Sequence, residues 1–191
     1  MKKFTKYILF ISLGLLCSCS DYLDIVPDNV TTLDIVFNNK NTAQRYLANC
    51  YHFVPDHGSV KRIPGMGAGH ECWFYTDKDS YFDNEVSFYI ARGLQNTNAP
   101  YANYWDGEGG SKLPMFRAIR ECNIFLSYVR DQHKVNDLTD SERKRWIAEV
   151  NVLKAYYHFF LFEHYGPIPI VDEALPVSTS SEGVKVTRMP V

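Results

Sequence analysis

Trp73 and Tyr75 stand either side of Phe74, so in an extended stretch their two rings point the same way. Flat aromatic faces with Asp77 and Asp79 nearby suit a sugar ring, which is apolar on its C–H face and hydroxylated at its edge. Trp73, Tyr75, Asp77, Asp79 and, a few positions on, Tyr81 are therefore the candidate ligand-binding residues. The competing reading is that these rings pin a loop to the rest of the fold.

Other constellations in the same region carry less. Asp77, Asp79, Asp83 and Glu85 form an acidic cluster, but Tyr81 and Phe82 stand where a calcium loop needs a ligand and a glycine. A solvated loop is the better reading of these carboxylates, with a glycosidase acid–base pair as the catalytic alternative. Gly65-Met66-Gly67-Ala68-Gly69 lacks a preceding strand and the spacing of a dinucleotide fingerprint, so it reads as a flexible loop. His70-Glu71-Cys72 has no second ligand pair at zinc spacing. Neither G-x-S-x-G nor H-E-x-x-H occurs, and His158 and His164, six apart, read as core or helix-end histidines. No catalytic residue, metal or cofactor is expected.

Composition rules out several classes and names none. The 191 residues are 46% apolar and 22% charged, the balance of a globular chain rather than a disordered one. A formal charge of -2 leaves no basic footprint for nucleic acid. Five cysteines are too few for a disulfide-stapled miniprotein.

The front of the chain is an address. Lys2, Lys3 and Lys6 precede the apolar stretch Tyr7 to Leu16, a secretory signal that as a helix spans only about 15 Å, half a bilayer core. It ends in Leu16-Cys17-Ser18-Cys19, with a Leu three positions before a Cys and a small residue directly before it. That pattern resembles the lipobox of bacterial lipoproteins, in which the Cys becomes the first mature residue and is acylated. Cys19 is the expected lipidation site, with Cys17 as a poorer competitor and an ordinary signal as the alternative. On this reading residues 1–18 are removed, and two or three acyl chains hold the remainder stably to a membrane. Loss of three lysines and no acid makes the mature part more negative, which suits a surface facing water rather than anionic lipid.

Three helices should position the candidate site. Asn41 with Gln44 reads as a capping box, followed by an apolar stripe of Ala43, Tyr46, Leu47, Cys50, Tyr51 and Val54 that Pro55 ends. A second helix is expected from Leu113 to Gln132, burying Phe116, Ile119, Cys122, Leu126 and Val129. Asn123 lies among them, and its buried amide should fasten a neighbouring loop or helix end. Thr139 and Glu142 cap the third helix, which buries Trp146, Val150, Leu153, Tyr157 and Phe160 and closes at Gly166-Pro167. From Ala155 to Phe162 this helix is apolar nearly all round, so it calls for more neighbours than a three-helix bundle supplies. Cys50 and Cys122 read as core thiols rather than a disulfide.

Between the first two helices, Asp56 to Ser111 shows no clean helical stripe, yet it holds eight of the eleven glycines and ten aromatics. Phe88, Tyr89, Tyr101, Tyr104 and Trp105 are in it, besides the candidate residues above. A glycine-jointed aromatic loop on a helical scaffold is a sensible binding surface. Beyond Pro167-Ile168-Pro169-Ile170-Val171, which should be extended, Ser178 to Val191 is polar and without period.

Cys19-Ser20-Asp21-Tyr22-Leu23-Asp24-Ile25-Val26-Pro27 resembles the mature start of SusD/RagB-type lipoproteins of Bacteroidetes. Tyr46-Leu47-Ala48-Asn49-Cys50-Tyr51, Ile119-Arg120-Glu121-Cys122-Asn123-Ile124-Phe125-Leu126 and Glu149 to Val171 match further landmarks of that family in order. Lys154 departs from the usual Arg. The resemblance implies an all-α fold of tetratricopeptide-like helical pairs, of which residues 19–191 are the N-terminal, incomplete part of a larger domain. It also implies a cell-surface, outer-membrane lipoprotein that captures oligosaccharide, or another nutrient, for a SusC-type TonB-dependent transporter. No ligand residue carries over by motif, and Asn123, Lys154, Tyr165, Gly166 and Pro167 look structural. The readings in play are a non-catalytic glycan-binding lipoprotein, a helical module that only docks on the transporter, a secreted hydrolase, and a non-functional truncated fragment.

Overall fold

The computed structural model describes residues 32–59, 63–65, 67–69, 86–108, 112–175 and 187–188. The chain divides into a leading unit, Met1–Leu33, of which only Thr32 and Leu33 are described, and a body, Asp34–Val191. The helices are α1 (Leu33–Val36), α2 (Lys40–Tyr51), α3 (Val86–Ala91), α4 (Met115–Arg130) and α5 (Asp140–Tyr165). Among the described residues no strand forms, and Pro169 makes an isolated antiparallel bridge with Arg188. The expected all-α class holds.

α5 starts where local chemistry says it must. The Thr139 side chain accepts the Glu142 N–H, and the Glu142 carboxylate reaches back to the Thr139 N–H, a complete capping box. Gly166, at φ 68°, ends the helix and returns its N–H to the Phe162 carbonyl. Trp146, Val150, Leu153, Tyr157 and Phe160 are buried as expected.

α4 pairs antiparallel with α5. Phe125 meets Trp146 at 6.2 Å, and at the far end Trp105 wedges between Phe116 (4.5 Å) and Tyr165 (5.7 Å). Pro114 precedes α4 and offers no side-chain cap. The Met115 N–H is taken instead by the Tyr104 carbonyl, so the loop before the helix serves as its cap.

α2 lies against both, antiparallel to α4. Its N-cap is Asn39, two residues before the expected box at Asn41 and Gln44. Asn39 is extended and its side chain accepts the Thr42 N–H. The Asp137 carboxylate takes the Lys40 N–H with both oxygens, at 2.8 and 2.9 Å, and so fixes the earlier start from a distant loop. The far end also differs from the expected stripe. The helix stops at Tyr51, so Tyr51 and Val54 are exposed and Phe53 is the buried residue.

The short α3 was not expected, because six residues give too few turns to show a period. Phe88 and Ser87 are buried, and the Ser87 hydroxyl donates to the Ile63 carbonyl at 3.2 Å. Gly93, at φ 73°, ends the turn that follows.

Candidate ligand-binding surface

The candidate residues Trp73, Tyr75, Asp77, Asp79 and Tyr81 lie outside the described residues, as do Asp83 and Glu85 of the acidic cluster and the cysteines Cys17, Cys19 and Cys72. What is described is the arm that leads from this region back to the helices, residues 86–108. Besides Trp105, already placed between Phe116 and Tyr165, its aromatics divide into two sets.

The first set anchors the arm. Tyr104 is wholly buried, its ring edge-on to Phe160 at 5.0 Å and to His164 at 4.7 Å. Its N–H donates to the Tyr165 hydroxyl at 2.8 Å. Burial raises the Tyr104 phenol well above its ordinary value, so this ring stays neutral in the core. Phe88 is equally buried. Tyr104 thus pins the arm to α5.

The second set is less deeply buried, with Tyr101 packed against the edge of the core. Tyr89 and Tyr101 are half-buried and stack face to face, centroids 4.2 Å apart and planes 14° from parallel. The chain between them is exposed and shaped by its own amides. Gln95 Oε1 accepts the Tyr101 N–H at 2.8 Å, while Asn96 Oδ1 accepts the N–H groups of Asn98 (3.1 Å) and Ala99 (2.7 Å). Such side-chain-to-backbone bonds are what hold Asn-rich loops in one turn. Gly107, at φ 80°, lets the arm pass Pro114, whose ring would lie 2.7 Å from any added Cβ.

The arrangement supplies a stacked aromatic pair beside an exposed strip carrying Gln95, Asn96, Thr97 and Asn98. That combination suits a ligand with one apolar face and a hydroxylated edge. The sequence pointed to this loop but could not sort Tyr89 and Tyr101 from Phe88 and Tyr104. Contacts with Phe160, His164 and Tyr165, some sixty positions away, are what turn Tyr104 inward.

Two buried polar side chains fix the segment after α5. Asn123 Nδ2 donates to the Val171 carbonyl at 3.1 Å, the fastening that its burial called for. Its Oδ1 finds no partner among the described residues. His158 accepts the Val171 N–H on Nε2 at 3.2 Å, and its Nδ1–H donates to the Lys154 carbonyl at 2.8 Å. Burial first of all lowers the His158 pKa from its ordinary value. Lys154 itself donates to the carbonyl and carboxylate of Asp172, both at 3.1 Å. These residues work structurally, as expected for Asn123 and Lys154.

The opposite side of α5 remains apolar and open: Val152 is 69% exposed, Phe159 54% and Phe162 37%. Among the described residues no cluster of His, Cys, Asp or Glu is placed to hold a metal ion. No described helix is long and apolar enough to cross a membrane.

The SusD-like family model, described as starch-binding and associating with the outer membrane, matches residues 21–191. A search of curated proteins returns no match.

Proposed function

Since this chain belongs to the SusD-like family of starch-binding proteins that associate with the outer membrane, we propose that it is a non-catalytic surface lipoprotein that binds oligosaccharide and passes it to a SusC-type TonB-dependent transporter. The observation that carries this reading is the family match across nearly the whole chain beyond the leader. The lipobox at Leu16 to Cys19 supports a lipid anchor at Cys19, with residues 1–18 removed, and hence attachment by acyl chains. The aromatic loop supports a sugar-stacking surface, with Trp73, Tyr75, Asp77, Asp79 and Tyr81 as ligand residues and the stacked Tyr89–Tyr101 pair further along the same stretch of sequence.

Calorimetric titration of malto-oligosaccharides into the lipid-bearing protein tests this. Saturable binding is expected, weakened about tenfold or more in Trp73→Ala or Tyr75→Ala, since one aromatic–sugar face contributes on the order of 1–2 kcal/mol. Wild-type affinity in both variants would remove those two residues from the site.

A second reading has one observation in its favour. The open face of Val152, Phe159 and Phe162 fits a helical module that docks on the transporter without a sugar site. It predicts co-purification with a large outer-membrane protein in the absence of any sugar affinity.

A further inference from the structure

α5 buries one side in the core and leaves the other bare, and the bare side has a period of its own. From Ser141 to Phe162 a line of exposed positions recurs in alternate steps of four and three residues, with Val152 at its middle. Such steps make a heptad seam, the spacing at which one helix follows another at a shallow crossing. The seam runs about 30 Å along the 26-residue helix. Its two ends differ. Toward the N-terminus it carries Arg145, flanked by exposed Lys144. Toward the C-terminus it carries Phe159 and Phe162, their rings 6.5 Å apart, flanked by exposed Glu163. Ile170, 48% exposed, shares with Ala155 the cleft between α5 and the segment that follows, and so widens the apolar strip.

We propose that a second copy of this chain covers the face, its α5 lying antiparallel about a twofold axis at Val152. A twofold interface must be its own complement, and this seam is. Turned end for end about Val152, Ser141 of one copy makes room for Phe162 of the other. The Arg145 guanidinium falls over the opposite Phe159 ring, a cation against an aromatic face, while its Nε stays 3.5 Å from Glu149 of its own helix. Ala148 meets Ala155, and these small side chains let the two backbones approach closely beside the axis. Glu163 then comes within a turn of Lys144 of the other copy. A parallel pairing fails on the same charges, because it sets Lys144 and Arg145 against their own images and Glu163 against its own. The pairing is independent of any glycan site, and it differs from docking on a transporter in what covers the face.

Sedimentation of the lipid-bearing protein in excess, density-matched detergent tests it. Wild type is expected to dimerise at micromolar concentration. Val152→Glu sets two carboxylates against each other on the axis and should weaken the dimer at least about a hundredfold. Val152 is exposed in the single chain, so the helical circular dichroism of that variant should match wild type. Val152→Cys reads the register separately: oxidation with copper phenanthroline should join two copies of the same peptide through position 152. A wild type that stays monomeric at these concentrations overturns the proposal, whether or not a large outer-membrane protein binds this face. So does a dimer that Val152→Glu leaves intact or that Val152→Cys fails to link. None of these readouts depends on sugar binding.

Discussion

Arg143 donates to the carbonyl of Val135 at 3.1 Å, and Val135 is a β-branched residue held at φ 50°. The same guanidinium reaches Val129 (2.6 Å), Asp131 (3.1 Å) and Lys134 (3.1 Å), so one buried cation binds four carbonyls. Its counter-charge is the negative end of α4, whose last carbonyls it caps. A left-handed conformation costs a valine about 1–3 kcal/mol, and this cradle is what maintains it.

Arg143→Ala should lower stability by on the order of 3 kcal/mol, because it leaves several buried carbonyls unpaired. Arg143→Lys keeps the charge but has no planar fork to span four acceptors, so it should recover less than half of the loss. Urea unfolding gives both numbers. An alanine variant within about 0.5 kcal/mol of wild type would show that the cradle is dispensable.

Glu142 joins the capping box of α5 to Lys40 of α2. The Lys40 ammonium first, and the Thr139 hydroxyl and N–H next, hold its carboxyl down at about 2 against an ordinary 4.5. A carboxylate lowered in the fold contributes stability above its unfolded pKa and loses it as pH falls toward the folded value. Wild type should therefore lose more stability between pH 4.5 and 2 than Glu142→Gln does. Parallel curves for the two proteins in that window would contradict the linkage.

His158 gives the other pH signature. Nε2 must be unprotonated to accept from Val171, and burial keeps it so by lowering the pKa below the ordinary 6.5. The unfolded chain takes its proton first as pH falls, so the stability tied to His158 declines from about pH 6.5 downward and levels off below the folded pKa. His158→Gln, which can still accept the Val171 N–H, should be flat through this range while wild type falls. A wild type equally flat would mean that the ring is not held neutral.

The helical frame was legible because its signals are local. The Thr139–Glu142 spacing fixed the start of α5 to the residue, and the period-3.6 stripes of α4 and α5 identified their buried sides. Asn39 was missed as the cap of α2 because Asp137, a partner nearly a hundred positions away, chooses between two asparagines. Arg143 carried a faint signal, a cation three residues before Trp146 on the apolar stripe, but nothing in sequence tells a buried carbonyl clamp from a solvated charge. The loop was recognisable by its aromatics and glycines. That Tyr104 is the ring turned inward depended on Phe160, His164 and Tyr165 of α5, so composition could not single it out.

Lipidation has its own test. The intact mass of the membrane-extracted protein should show the chain beginning at Cys19 and carrying acyl chains, and Cys19→Ala should release the protein from the membrane. Retention of the variant on the membrane, or an unmodified Cys19 in wild type, would remove the anchor.

The central claim is that the aromatic loop gives this chain affinity for a glycan without turnover. Calorimetric titration of the lipid-bearing protein with malto-oligosaccharides, paired with an assay of released reducing sugar, addresses it most directly. The account predicts saturable binding, no sugar release, and a marked loss of affinity in Trp73→Ala with the fold unchanged. Absence of binding across the oligosaccharide panel, or release of reducing ends by the wild type, would contradict it.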